Sequence, residues 1–87
     1  MLEVTDATYI DGFRIHVRFS NGEEGVVDLA GSLWGPVFEP LKDPARFQRF
    51  EVSKLFHTIT WENGADLAPE YIHEKMIEQA RGAPAEK

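Results

Sequence analysis

The sequence predicts a single α+β domain: a small antiparallel sheet of about five or six strands with one short helix and a C-terminal helix. Three observations predict it. Residues 13–19 alternate apolar and polar without a fault. Two Asn-Gly pairs, Asn21-Gly22 and Asn63-Gly64, sit where hairpins turn. After Pro69, Ile72, Met76 and Ala80 recur at i, i+4 and i+8, the spacing of one helix face.

The first strand is read over Val4 to Ile10, which is rich in β-branched and aromatic residues, and Asp11-Gly12 turns the chain. In the strand from Phe13 to Phe19, Phe13, Ile15, Val17 and Phe19 point to the core, and Arg14, His16 and Arg18 point away. The next strand runs from Glu24 to Leu29. A strict two-residue loop would set Phe19 opposite Glu24 and mix acids into the apolar face. A bulge or longer loop near Glu23 to Gly25 is therefore expected, with Val17 opposite Val27, Ile15 opposite Leu29 and His16 facing Asp28.

Ala30 to Pro40 is rich in glycine and proline, yet Leu33, Trp34, Val37, Phe38 and Leu41 are apolar. Such a loop packs on the core. Asp43 is the N-cap and Pro44 the first residue of a short helix reaching Arg49, with Phe47 and Phe50 sharing a face. Strands follow at Phe50–Val52 and Phe56–Trp61; in the second, His57, Ile59 and Trp61 share a face. The segments after the two Asn-Gly pairs, Val27-Asp28-Leu29-Ala30 and Ala65-Asp66-Leu67-Ala68, echo each other, as repeated hairpin chemistry would. Pro69 and Glu70 open the last helix and Gly82 stops it. Residues 1–81 are thus expected to form one domain, and 82–87 a flexible C-terminal tail.

Composition narrows the chemistry. The absence of cysteine excludes a disulfide framework, a cysteine zinc site, thiol catalysis and an iron–sulfur centre. No apolar run approaches the length of a membrane span, so a soluble, cytoplasmic chain is expected. Nine Lys and Arg face fifteen Asp and Glu, a net charge of −6. That balance does not favour direct nucleic-acid binding, which draws on phosphate neutralisation, and it suits a basic partner. The charge comes in blocks. Residues 1–12 carry only acids, 13–22 only Arg14 and Arg18, and 23–41 only acids; 42–54 turn basic again. Strand pairing is expected to bring unlike blocks together.

Catalytic constellations are missing from the sequence. There is no Gly-x-Ser-x-Gly elbow, P-loop or Gly-x-Gly-x-x-Gly. His73-Glu74 begins like a zinc-protease helix, but the fifth residue is Ile77. His16 with Asp28 has no third partner for catalysis. Glu70, Glu74 and Glu78 form an acidic row on the last helix, eased by Lys75 and Arg81, and read as a solvated face. Trp61 is assigned to the core. Trp34, between Gly31 and Gly35, is also expected to pack; if exposed, it becomes an interface anchor.

Three stretches together carry a resemblance. They are Val17 to Leu29 (VRFSNGEEGVVDL), Gly35 to Pro44 (GPVFEPLKDP) and Thr58 to Tyr71 (TITWENGADLAPEY). In order and spacing they resemble the bacterial family catalogued as domain of unknown function 2442, over about residues 3 to 74. Ala68 stands where that family more often has a polar capping residue. The resemblance implies a small α+β domain with no established activity. It implies an occasional fusion to a helix-turn-helix, although none is expected in these 87 residues. It also implies a genetic neighbour from another small family, domain of unknown function 4160, in a toxin–antitoxin-like pair. It supplies no catalytic residues.

The expectation is therefore a non-enzymatic protein-binding module without cofactor or metal, holding a small basic protein, in the manner of an antitoxin. The candidate contact residues are Arg14, His16, Arg18 and Trp34, or the acidic face of the last helix. The alternatives are an accessory domain of a nucleic-acid-binding regulator, with Arg14, Arg18, Arg46 and Arg49 gathered on one side, and a small-ligand-binding domain. A two-fold dimer could form through the polar strand face or an edge strand.

Overall fold

The computed structural model describes residues 1–81. Strands β1 (Val4–Asp11), β2 (Arg14–Phe19) and β3 (Glu24–Asp28) form an antiparallel sheet in the order β1-β2-β3. The alternation in β2 is obeyed: Ile15, Val17 and Phe19 are buried, while Arg14 and Arg18 are exposed.

The β2–β3 register differs from the expected one. Val17 faces Gly25 rather than Val27, Ile15 faces Val27, and His16 faces Val26 rather than Asp28. The additional residue lies in the loop, not in Glu23 to Gly25. Gly22 N–H donates to the Phe19 carbonyl (3.0 Å) and Phe19 N–H donates to the Glu23 carbonyl (2.8 Å), closing a three-residue loop with Gly22 at φ 91. The physical reason is the period of two. Sliding a strand by two residues keeps Val27 on the core face, so alternation fixes the face and only turn chemistry fixes the register.

After β3 the chain makes 3-10 turns at Ala30–Ser32 and Glu39–Lys42 and then helix α1 (Pro44–Phe47), shorter than the expected reach to Arg49. Asp43 caps it, accepting from Ala45 N–H at 3.1 Å. Leu33 and Leu41 hold the connection to the core, as a packed loop requires. Trp34 does not: it is 73% exposed, correcting the expectation of a buried ring. Its neighbour Leu33 takes the core position, and Gly35 reverses the chain at φ 94 immediately after it.

Strands β4 (Glu51–Val52) and β5 (Ile59–Thr60) pair with each other as a separate two-stranded sheet, so one sheet of five or six strands is not formed. A backbone bond from Val4 N–H to the His57 carbonyl (2.9 Å) ties this hairpin to the end of β1 in place of a ladder. His57 takes φ 58, which ends the extended run and removes it from the face that Ile59 and Trp61 bury. The second Asn-Gly turn repeats the first: Gly64 N–H donates to the Trp61 carbonyl (3.0 Å) and Trp61 N–H to the Ala65 carbonyl (2.9 Å).

Helix α2 (Pro69–Ala80) starts without a side-chain cap, as Ala68 implies. Ile72 and Met76 are buried and Ala80 is exposed, so the apolar stripe is one turn shorter than its spacing suggests. The helix stop at Gly82 and the tail 82–87 lie outside the described residues. Phe47 joins the layers: its ring meets Phe13, Phe50 and Trp61 at 5.2, 6.1 and 5.7 Å.

Candidate functional site

Arg14, His16 and Arg18 stand together on the outer face of β2, each in a row across the sheet. Arg14 lies between Asp11 and Asp28, His16 between Thr8 and Val26, and Arg18 between Asp6 and Glu24. Arg14 grips Asp11 through two bonds, Nε to Oδ1 at 2.9 Å and Nη2 to Oδ2 at 2.8 Å. The hydrogen bonds from Arg14 hold the Asp11 carboxyl below its ordinary range, and the same pairing raises Arg14. Arg18 Nη2 lies 3.5 Å from both Glu24 oxygens, and His16 Nε2 reaches Glu24 on the diagonal at 3.2 Å. The unlike charge blocks of the sequence thus meet across the strands, as expected. The face is a mosaic of alternating sign, not a positive strip.

Trp34 stands on a different element. Its loop is tied to α2 through Ser32 Oγ and Tyr71 Oη, 2.7 Å apart, and Val37 on the same loop is also exposed. On α2, Lys75 pairs with Glu78 at 3.5 Å and lies over the Tyr71 ring at 5.6 Å. Glu70 and Glu74 make no ion pair among the described residues.

One feature escaped the sequence reading. Leu55 and Phe56, at the tip joining β4 to β5, are 77% and 62% exposed. The tip is built, not loose. Ser53 Oγ accepts from Leu55 N–H (3.1 Å) and Phe56 N–H (3.0 Å), and His57 N–H donates to the Ser53 carbonyl (2.8 Å). The signal was Ser53 followed, across Lys54, by two adjacent apolar residues, Leu55 and Phe56; treating Phe56 as strand concealed it.

All three histidines face glutamates. Besides His16 with Glu24, His57 Nδ1 lies 3.9 Å from Glu3 and His73 Nε2 lies 2.5 Å from Glu23. The hydrogen bond to His73, followed by that from Asn21, holds the Glu23 carboxyl below its ordinary range. Among the described residues no three His, Asp or Glu side chains gather where they could hold a metal ion, and no helix is long and apolar enough to cross a membrane.

Fold and surface define a small α+β domain with a charge-compensated sheet face and large apolar side chains displayed on two loops. The family model described as Protein of unknown function (DUF2442) matches residues 4–78, and the chain belongs to that family. The resemblance carried by the three stretches is thereby established. In fold the chain is similar to the crystal structure of a Nitrosomonas europaea ATCC 19718 protein named "Putative DNA Binding Protein", with a TM-score of 0.80 and 22% identity. The match covers 93% of this chain and 52% of that one, so the chain spans about half the length of its structural relative. No curated protein matches the chain at a significant level.

Proposed function

We propose that this chain is a non-enzymatic, cytoplasmic protein-binding module that holds a small basic protein, as an antitoxin holds its toxin. The observation that carries the reading is Trp34. It is 73% exposed between residues that fix its loop, with Leu33 and Leu41 buried on either side. A large, rigid aromatic side chain displayed on a fixed loop is the residue type that dominates binding energy at protein interfaces. The net charge of −6 supports a basic partner, whose encounter complementary charge would steer.

The reading as a nucleic-acid accessory domain draws on the name of the Nitrosomonas europaea protein. The pairing of Arg14 with Asp11 and of Arg18 with Glu24 counts against it, because both cations are already engaged.

The test is a pull-down of the tagged chain from its native cell at low and moderate salt, with and without Trp34→Ala. One small basic protein, reduced as salt rises and lost with the variant, supports the reading. Recovery of nucleic acid, or of a partner indifferent to Trp34→Ala, overturns it.

A further inference from the structure

Helix α2 packs beside β3, and at one of the three outward-facing positions on the β3 edge a side chain from that helix stands where a neighbouring strand would. In the β2–β3 ladder, Phe19 N–H bonds to the Glu23 carbonyl and Leu29 N–H to the Phe13 carbonyl. With the register between them, this makes Val17–Gly25 and Ile15–Val27 the hydrogen-bonded pairs. The N–H and C=O groups of Glu24, Val26 and Asp28 therefore point away from β2. The Asp28 pair is taken by a side chain: Gln79 Oε1 accepts from Asp28 N–H at 2.7 Å and Gln79 Nε2 donates to the Asp28 carbonyl at 2.8 Å. A primary amide there reproduces the peptide group of a neighbouring strand. Among the described residues nothing takes up the backbone groups of Val26 or Glu24, and the Val26 side chain is 43% exposed.

The outer face indicates what an added strand would carry. Along one row the signs run Asp6, Arg18, Glu24; along another, Asp11, Arg14, Asp28; between them lie Thr8, His16 and Val26. Acid, base, acid calls for a base in the fourth column of both outer rows, and Val26 calls for an apolar neighbour.

We infer that the β3 edge docks an extended segment of the basic partner by strand addition, with basic, apolar and basic residues at alternate positions opposite Glu24, Val26 and Asp28. The inference rests on the basic-partner reading and adds where and how that partner binds. Gln79 keeps the Asp28 slot closed until a strand displaces it.

The probe is a blocked Thr-Lys-Thr-Val-Thr-Lys-Thr peptide titrated into isotope-labelled full-length chain, followed by amide shifts. The expected result is saturable shifts centred on Glu24 and Val26, absent with the peptide carrying Glu for Lys. Val26→Pro removes the outward N–H and spares the ladder, and is expected to abolish binding. Should Val26→Pro disturb the fold, Glu24→Lys with Asp28→Lys makes the same test by charge. Gln79→Ala frees the third slot and is expected to tighten binding several-fold. No shifts at millimolar peptide, or binding indifferent to both edge variants, overturns the inference. A basic protein captured through Trp34 and indifferent to those variants overturns only the docking mode and leaves the proposed function standing.

Discussion

The indole of Trp61 donates a hydrogen bond to the Phe47 carbonyl at 2.8 Å, inside the core and fourteen residues away in sequence. It joins the end of β5 to the last residue of α1, whose carbonyl has no further helical turn to bond it. Trp61→Phe keeps much of the apolar burial but strands that carbonyl. It is expected to cost about 1–3 kcal/mol, the penalty for an unsatisfied buried polar group, read as a lower midpoint in urea at unchanged slope.

The two Asn-Gly turns make a matched pair. Gly22 and Gly64 sit at φ 91 and 89, and each preceding asparagine accepts from the backbone N–H two residues on, Glu23 at 3.0 Å and Ala65 at 3.1 Å. No side chain crowds a Cβ at either glycine. The cost of Gly22→Ala or Gly64→Ala is therefore purely conformational, about 1–2 kcal/mol in each case. Equal losses in denaturant unfolding support this; a loss at one site only shows that the turns are not equivalent.

These turns mark how far the fold could be read. The Asn-Gly pairs, the alternation from Phe13 to Phe19 and the Asp43-Pro44 helix start are local signals, and each placed its element. The β2–β3 register was missed because a shift of two residues leaves Val27 facing inward either way. The split into two sheets is not legible locally, because it is decided by which strand edges pair over long range; the left-handed backbone at His57 (φ 58), uncommon outside glycine, shortens the second strand of the small sheet. Of the candidate site, the charge compensation of Arg14 and Arg18 was legible from the charge blocks. The exposure of Trp34, Leu55 and Phe56 was not, because the long-range competition for core volume decides which apolar side chains are left outside.

Gly25 lies over Met76. A Cβ at residue 25 would stand 3.1 Å from the Met76 sulfur and 3.3 Å from its Cγ. The thioether is flexible but buried, so it yields at a cost. Gly25→Ala is expected to destabilise by about 1 kcal/mol, the low end for overpacking. In a Met76→Ala background the same change is expected to be neutral or stabilising, since the clash is gone. A double-mutant cycle measures the coupling, and additive costs would rule out the contact as the cause.

The Glu23–His73 contact joins the β2–β3 turn to α2, with the His73 ring edge-on to Phe19 at 5.1 Å. Glu23 has its folded pKa below the ordinary value, so its contribution is complete above the unfolded pKa and drains away as pH falls through the folded one. Stability is thus expected to fall on acidification below about pH 4.5 more steeply in the wild type than in Glu23→Gln, the two curves converging at low pH. Parallel acid limbs would show that the carboxylate contributes nothing to the fold.

Trp34 separates binding from folding. At 73% exposure its ring loses little on unfolding, so Trp34→Ala is expected to change stability by no more than about 0.5 kcal/mol. If the ring is the interface anchor, the same variant costs at least about 2 kcal/mol of binding to the captured partner, a thirtyfold weaker Kd. Arg14→Ala and Arg18→Ala, whose charges are already paired within the sheet, are expected to weaken that complex far less. Titration calorimetry of the three variants orders them. A larger loss from the arginines than from Trp34 would move the interface onto the outer face of β2.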